Sequence, residues 1–145
     1  TPCQTFYLPE MELKGTQPLL WDVLEEADRE MYVATCTIDS TMRSSPEVLD
    51  MFGLCDYHSY TMMQALAVRL YPNSNKYRYL VCLRNPWGRK EWKGPWSDYS
   101  KAWDKYEHVH EELRVNNNKS KQQLSSGTLG AADDGRFWML FKDFF

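Results

Sequence analysis

The sequence lacks the features that mark several common classes of protein. No apolar run approaches the roughly 18 residues that a membrane-spanning helix needs, so no span is predicted. The formal net charge is only -3, which gives no electrostatic reason to expect nucleic-acid binding. The first residues do not have the pattern of a secretory signal peptide. These absences favour a globular domain without a nucleic-acid or membrane partner.

Paired cysteine motifs are also missing. Cys3, Cys36, Cys55 and Cys82 stand singly, without the Cys-x-x-Cys spacing of zinc and redox sites. Three interpretations stay open for them: core thiols, a disulfide pair, or a metal site shared with His58. Because scattered single cysteines are typical of reducing compartments, we expect a cytoplasmic, intracellular protein.

Aromatic side chains, in contrast, are abundant. The 145 residues include six Trp, nine Tyr and six Phe, and 26% of them are charged. A chain of this length buries about two-thirds of its unfolded surface. We therefore expect one domain over residues 1–145, with a polar, aperiodic and flexible loop at 116–130.

The strongest structural pattern is a β-hairpin. Residues 57–71 and 76–84 are rich in β-branched and aromatic side chains that alternate with polar ones, and Pro72-Asn73-Ser74-Asn75 between them is typical of a turn. On the second strand, alternation places one set of side chains on one face: Tyr77, Tyr79, Val81 and Leu83. Shorter strands are predicted at 32–39 and 137–141.

Helical periodicity occurs in three places. After Thr16, one face of a three-turn helix would carry Leu20, Val23, Leu24, Ala27 and Met31. A single turn is predicted at 47–52, and a longer helix at 101–115 would bury Trp103, Tyr106, Val109, His110 and Leu113. The fold expected from these elements is α+β, with an antiparallel sheet or barrel-like core and a few flanking helices.

The hairpin brings a histidine and an asparagine into one neighbourhood. If the turn is centred near residues 73 and 74, Asn85 lies opposite Met62, and about four residues at roughly 3.3 Å each separate Met62 from His58. A bulge or a bend after His58 would close much of that gap. A histidine that acts as a general base needs an acceptor on its far nitrogen, and an asparagine carbonyl can serve. The other interpretation is a hydrogen-bonded histidine and a turn residue before proline.

Several separate motifs resemble, in the same order, the second half of the calpain protease core. They run from about Trp21 to the last residue and comprise His58-Ser59-Tyr60, Asn85-Pro86-Trp87-Gly88, Glu91-Trp92-Lys93-Gly94-Pro95-Trp96-Ser97-Asp98 and Asp133-Asp134-Gly135-Arg136-Phe137-Trp138-Met139. The resemblance implies a papain-like cysteine endopeptidase acting on polypeptides. It also implies that His58 is the general base, that Asn85 orients His58, and that Trp87 covers their contact.

The nucleophile that the resemblance implies is not found in this sequence. In the family that cysteine precedes a tryptophan, and none of the four cysteines here does. The resemblance therefore implies a partner, an N-terminal subdomain that carries the cysteine. In the family a further strand also follows the terminal phenylalanines, so we expect that the chain is cut from a longer protein at both ends.

Calcium is a further implication of the resemblance. The site in this half would use Glu91, Asp98, Asp134, a carbonyl near Ala132 and an acid at position 136. This sequence has Arg136 there instead. Three alternatives stay open: a calcium site, a metal-free arrangement in which Arg136 pairs with Glu91 or Asp98, and solvated charges that share no site.

Two functions from different classes are consistent with these residues. The first is part of an active calpain-type endopeptidase, and the presence of both His58 and Asn85 favours it. The second is a catalytically inactive calpain-like scaffold of the cytoskeleton or cilium. Arg136, the long loop and the missing cysteine favour that alternative.

Overall fold

In the described part of the chain, the fold is built on one antiparallel sheet of four strands, in the order β1-β2-β3-β4. The computed structural model describes residues 17–38, 45–119 and 133–144. The strands are β1 Ala34–Ile38, β2 His58–Arg69, β3 Tyr77–Arg84 and β4 Arg136–Leu140. The hairpin predicted from the sequence is the central pair, and the two shorter strands lie at its edges, where the sequence predicts them.

Five helices accompany the sheet in the described part of the chain: α1 Gln17–Arg29, α2 Pro46–Met51, α3 Ala102–Lys105, α4 Glu107–Lys119 and α5 Phe141–Phe144. Helix α1 packs on one face of the sheet and α4 on the other. This arrangement of an open antiparallel sheet with flanking helices confirms the expected α+β class. None of the described helices has both the length and the apolar content for crossing a bilayer.

The core lies on both faces of the sheet. The α1 face buries Leu20, Trp21, Leu24, Ala27, Tyr60, Met62, Ala65, Val81, Leu83, Phe137 and Met139. The α4 face buries Val68, Leu70, Leu80, Cys82, Trp96, Val109, Leu113 and Trp138. Because successive side chains of a strand point to opposite faces, four consecutive residues of β3, from Leu80 to Leu83, are buried.

A β-bulge interrupts β2. Met62 pairs with Leu83 and Gln64 pairs with Cys82, which leaves Met63 as the additional residue. The side chains that face α1 therefore change from even to odd positions along the strand. Just beyond the bulge, the Asp28 carboxylate of α1 accepts a hydrogen bond of 3.0 Å from the Ala65 amide. Burial nevertheless raises the pKa of Asp28 above its ordinary value.

The boundaries of the helices differ from the predictions at two points. Met31 was assigned to the buried face of α1, but it lies beyond the helix end at φ 56° and is 80% exposed. Trp21 is buried instead, with its ring edge-on to Tyr79 and Phe141. The apolar stripe is displaced because the helix ends at Arg29 and the Tyr32 amide donates back to Ala27.

The single helix predicted over 101–115 is two helices. The break is at Tyr106, whose φ of -125° and ψ of 58° are not helical and whose ring stacks on Trp96. Val109 and Leu113 are fully buried, as predicted. Helix α4 continues to Lys119, so the first four residues of the predicted loop 116–130 are helical. The other residues of that loop lie outside the described part.

Candidate active site

The pairing of β2 with β3 brings His58 closer to Asn85 than the sequence predicted. Arg84 pairs with Thr61, so the next residue, Asn85, comes level with Tyr60 rather than Met62. The bulge contributes one residue to this difference. The turn contributes the other, because its closing bond joins the Leu70 amide to the Lys76 carbonyl and centres the turn on residue 73. The predicted separation from His58 is halved.

His58 and Asn85 are hydrogen-bonded to each other. The His58 Nε2 and Asn85 Oδ1 atoms are 2.8 Å apart, and the Asn85 side chain is completely buried. Two main-chain groups orient the Asn85 amide: its Nδ2 donates to the Lys90 carbonyl at 3.1 Å, and its Oδ1 accepts from the Trp87 amide at 3.0 Å. Every polar atom of the amide is therefore engaged in a defined direction.

This orientation determines which nitrogen of His58 holds the proton. A carbonyl oxygen can only accept hydrogen bonds, so Nε2 of His58 has to be the donor. In the neutral imidazole the other nitrogen, Nδ1, then carries a lone pair and can take up a proton. The arrangement is therefore chemically suited to general-base catalysis at Nδ1.

Two aromatic rings hold the imidazole. The Trp87 ring lies against His58 with centroids 4.2 Å apart and planes tilted by 44°, and Tyr60 meets His58 edge-on at 4.9 Å. Trp87 remains 56% exposed, whereas Tyr60 is buried. Trp87, which the sequence singled out, thus contacts His58 and covers one side of the ring.

The loop after β3 is fastened to the residues that precede β4. The main-chain amide of Asn85 donates to the main-chain carbonyl of Gly135 at 2.7 Å, and the main-chain amide of Gly88 donates to the main-chain carbonyl of Asn85 at 3.0 Å. Gly135 has φ 82°, and a Cβ there would lie 2.5 Å from the Asn85 carbonyl oxygen. Neither Gly135 nor Lys90 is a candidate site residue from the sequence alone. The only signal for Gly135 was its place in an Asp-Gly pair, which is typical of a tight turn.

Two of the candidate metal ligands, Glu91 and Asp98, hydrogen-bond to each other. Burial and the charge of Asp98 raise the pKa of Glu91 to about 7, and burial together with nearby acidic charges raises the pKa of Asp98 to about 6. Glu91 Oε1 also accepts a bond of 2.7 Å from the Gly135 amide. Glu91 therefore joins the loop after β3 to the segment that precedes β4.

The described donors do not make a calcium site as they stand. Calcium takes six to eight oxygen ligands at once. Among residues 17–38, 45–119 and 133–144, no group of three or more acidic, histidine or cysteine side chains is arranged to hold a metal ion. Asp134 Oδ1 is engaged by the Arg136 amide at 2.9 Å. Ala132, whose carbonyl the resemblance implied as a ligand, lies outside these ranges.

Arg136 does not form the ion pair that the sequence suggested as an alternative. Within the described part of the chain, no ion pair joins Arg136 to Glu91 or Asp98, and its Nε atom is buried without a hydrogen-bond partner. The hydrogen bonds that meet at Gly135 connect these loops instead. Of the three alternatives for these charges, the one in which Arg136 pairs with Glu91 or Asp98 is therefore absent from the described part of the chain.

The cysteines of the described segments are free thiols: Cys36, Cys55 and Cys82. Burial raises the pKa of Cys36 to about 12 and also raises that of Cys82. Because the thiolate is the nucleophilic form, these raised pKa values disfavour both thiols as nucleophiles. Neither is a candidate nucleophile for His58. Cys3 lies outside the described residues.

Known proteins with similar sequences are calpains. Residues 2–145 match the family described as calpain family cysteine protease. The chain is 35% identical to mouse calpain-9 over 124 residues, which is 86% of the chain and 16% of that protein. It is 30% identical to the mouse calpain-2 catalytic subunit over 133 residues, 92% of the chain and 17% of that protein.

A third relative has a similar relation to the chain. Human calpain-14 is 35% identical over 125 residues, 86% of the chain and 15% of that protein. The chain thus spans about a sixth of the length of these relatives. The match over 2–145 nonetheless covers nearly the whole sequence, including the His58 and Asn85 motifs. The chain belongs to the calpain family of cysteine proteases.

Proposed function

We propose that this chain is the part of a calpain-type cysteine endopeptidase that supplies the general base and the group that orients it. The bond of 2.8 Å between His58 Nε2 and Asn85 Oδ1 is the observation that carries this proposal. An amide that only filled space in the core would not need to point its oxygen at an imidazole. Here two main-chain groups direct it there.

The proposed reaction is acyl transfer to a cysteine, followed by hydrolysis. Nδ1 of His58 takes the proton from the thiol of a cysteine on a partner subdomain, and the thiolate attacks the carbonyl carbon of a peptide bond. The resulting imidazolium gives its proton to the leaving amine, and a thioester forms. Water then attacks the thioester while Nδ1 accepts a proton from that water. The imidazolium returns this proton to the departing sulfur, and the acid and the free thiol are released.

Asn85 and Trp87 have supporting roles in this mechanism. Asn85 keeps Nε2 of His58 bonded to its side-chain carbonyl, so that Nδ1 stays on the opposite side of the ring during each proton transfer. The same carbonyl stabilises the imidazolium that forms. Trp87 excludes water from one side of His58, which strengthens the bond between His58 and Asn85 because the local dielectric constant is lower. Donors to the oxyanion would come from the main chain near the cysteine of the partner subdomain.

A catalytically inactive scaffold is the second candidate function. Arg136 supports it, because this sequence has a positive charge where the resemblance implied an acidic calcium ligand. In that case His58 and Asn85 would be retained without a nucleophile to act on. We also propose an intracellular location, since the cysteines described are free thiols.

The sequence that precedes Thr1 in the parent transcript separates these two functions. About 200 residues are enough to contain a companion domain of ordinary size. A glutamine followed, after a short glycine-containing stretch, by Cys-Trp would complete the proposed endopeptidase. A different residue in place of that cysteine would reject the endopeptidase and support the scaffold.

A further inference from the structure

We propose that Lys90 is a positioning residue: its main-chain carbonyl sets the orientation of the Asn85 amide and, through it, selects the ring nitrogen of His58 that carries the proton. The bond from Asn85 Nδ2 to the Lys90 carbonyl, 3.1 Å long, is the contact on which this depends. The importance of this nitrogen for catalysis rests on the proposed function. The selection itself is a property of this chain.

The conformation of Lys90 shows that the contact is maintained against a preference of the chain. Lys90 has φ 61°, in the left-handed region that is unfavourable for any residue with a Cβ. Four non-glycine residues of the described segments have such a φ: Met31, Tyr57, Lys90 and Trp96. Two of these adjoin the His58 and Asn85 pair, since Tyr57 directly precedes His58 and the Lys90 carbonyl bonds to Asn85. Backbone strain of this kind concentrates at functional sites.

The carbonyl matters because an asparagine amide has nearly the same shape in both orientations. If the amide were rotated by half a turn, its NH₂ group would face His58 Nε2, which would then have to accept and leave the proton on Nδ1. Such a rotation would also bring Oδ1 against the Lys90 carbonyl, acceptor to acceptor, in a fully buried position. The Lys90 carbonyl therefore disfavours the tautomer that cannot act as a base at Nδ1.

Packing, rather than the Lys90 ammonium group, holds the loop in this conformation. The ion pair of Lys90 Nζ with Asp50 Oδ1 is 3.5 Å long and its side chains are 52% and 77% exposed, so it is weak. In contrast, the Lys93 amide donates to the Phe52 carbonyl at 2.9 Å, and Phe52 stacks on Trp92. We therefore expect Asp50→Ala to leave the orientation of Asn85 unchanged.

Two substitutions at Lys90 change the energetic cost of the left-handed conformation in opposite directions. Lys90→Gly removes the unfavourable Cβ contact and keeps the carbonyl in place. Lys90→Val keeps the N–H group but disfavours the left-handed region more strongly, because its side chain is branched at Cβ. The readout is the pair of nitrogen-15 shifts of the His58 ring at a pH of about 8, where an ordinary histidine is neutral.

We expect the unmodified chain, Lys90→Gly and Asp50→Ala to show the tautomer protonated on Nε2. Lys90→Val should show a new population protonated on Nδ1. Met31→Val is the matched control, because Met31 has a similar φ of 56° at the end of α1. It should lower stability without changing the tautomer. A folded Lys90→Val with the unmodified tautomer, or an equal change in Met31→Val, would overturn the proposal.

If Lys90→Val does not fold, a measurement on the unmodified chain decides. One Asn85 Nδ2 proton should exchange with solvent much more slowly than that of a free asparagine, because it is bonded to the Lys90 carbonyl. Exchange at the free rate would refute the contact. None of these readouts uses peptidase activity, so the inference and the proposed function can fail separately. In an active parent protein, Lys90→Val should lower kcat rather than raise KM.

Discussion

Replacing Asn85 by alanine should destabilise the fold and release His58 at the same time. The substitution removes the acceptor of His58 Nε2 and of the Trp87 amide, and the donor to the Lys90 carbonyl. Each buried polar group left without a partner costs about 1–3 kcal/mol. Because Trp87 and Lys90 are exposed residues, we take the lower half of this range for their two main-chain groups. The expected loss is roughly 2–4 kcal/mol in the free energy of unfolding.

Urea denaturation followed by tryptophan fluorescence measures this loss, and nitrogen-15 shifts of the His58 ring report its tautomer. Asn73→Ala is the matched control, since Asn73 is exposed in the turn between β2 and β3, and its effect should stay within about 0.5 kcal/mol. In Asn85→Ala the His58 proton should distribute between both nitrogens. A loss no larger than in the control, with an unchanged tautomer, would refute the contacts assigned to Asn85.

The glycines of the loops, the acidic pair and the free thiols each give a further prediction. Gly135→Ala should lower the free energy of unfolding, measured by urea denaturation, more than Gly88→Ala does. Both glycines have positive φ, but of the two only Gly135 has a position for Cβ within 3 Å of other main-chain atoms. Equal losses in the two variants would contradict this. The pKa of Glu91 is raised from 4.5 to about 7 in the folded state. Between these pH values the folded state binds more protons than the unfolded state, so the free energy of unfolding should fall as pH rises from about 4.5 to about 7. Glu91→Gln should flatten that dependence, and an unchanged urea midpoint profile would contradict the assignment. The purified 145-residue chain should hydrolyse no peptide substrate, because none of its four cysteines precedes a tryptophan as the nucleophile of the family does, and activity blocked by a thiol alkylator would refute this.

The four strands of the described sheet could be predicted from the sequence, because each has its own alternating or apolar pattern. The register could not. Met62, Met63 and Gln64 form a run in which either of two residues can face the core, so the bulge leaves no mark in the hydrophobic pattern. The misplaced Met31 has a similar cause, since an apolar residue two positions beyond a helix end fits the periodicity without belonging to the helix.

The candidate site was predictable in its side chains and not in its main chain. His58, Asn85 and Trp87 are residue types with specific chemistry, and motifs identify them. Lys90 acts through its carbonyl and Gly135 through its carbonyl and its missing Cβ. Any residue type can supply a carbonyl, so only the folded geometry shows which one is near Asn85. The lack of an ion pair between Arg136 and Glu91 or Asp98 likewise depends on side-chain directions that the sequence does not contain.

Peptidase activity of the full-length parent protein tests the central claim most directly. We expect peptide hydrolysis that a thiol alkylator abolishes and that His58→Ala reduces by roughly 10³-fold or more. His108→Ala is the control, because His108 lies on α4 beside Glu112 and should leave the rate unchanged. A parent protein without hydrolysis, or a His58→Ala variant that keeps the full rate, would contradict the role assigned to His58 and Asn85.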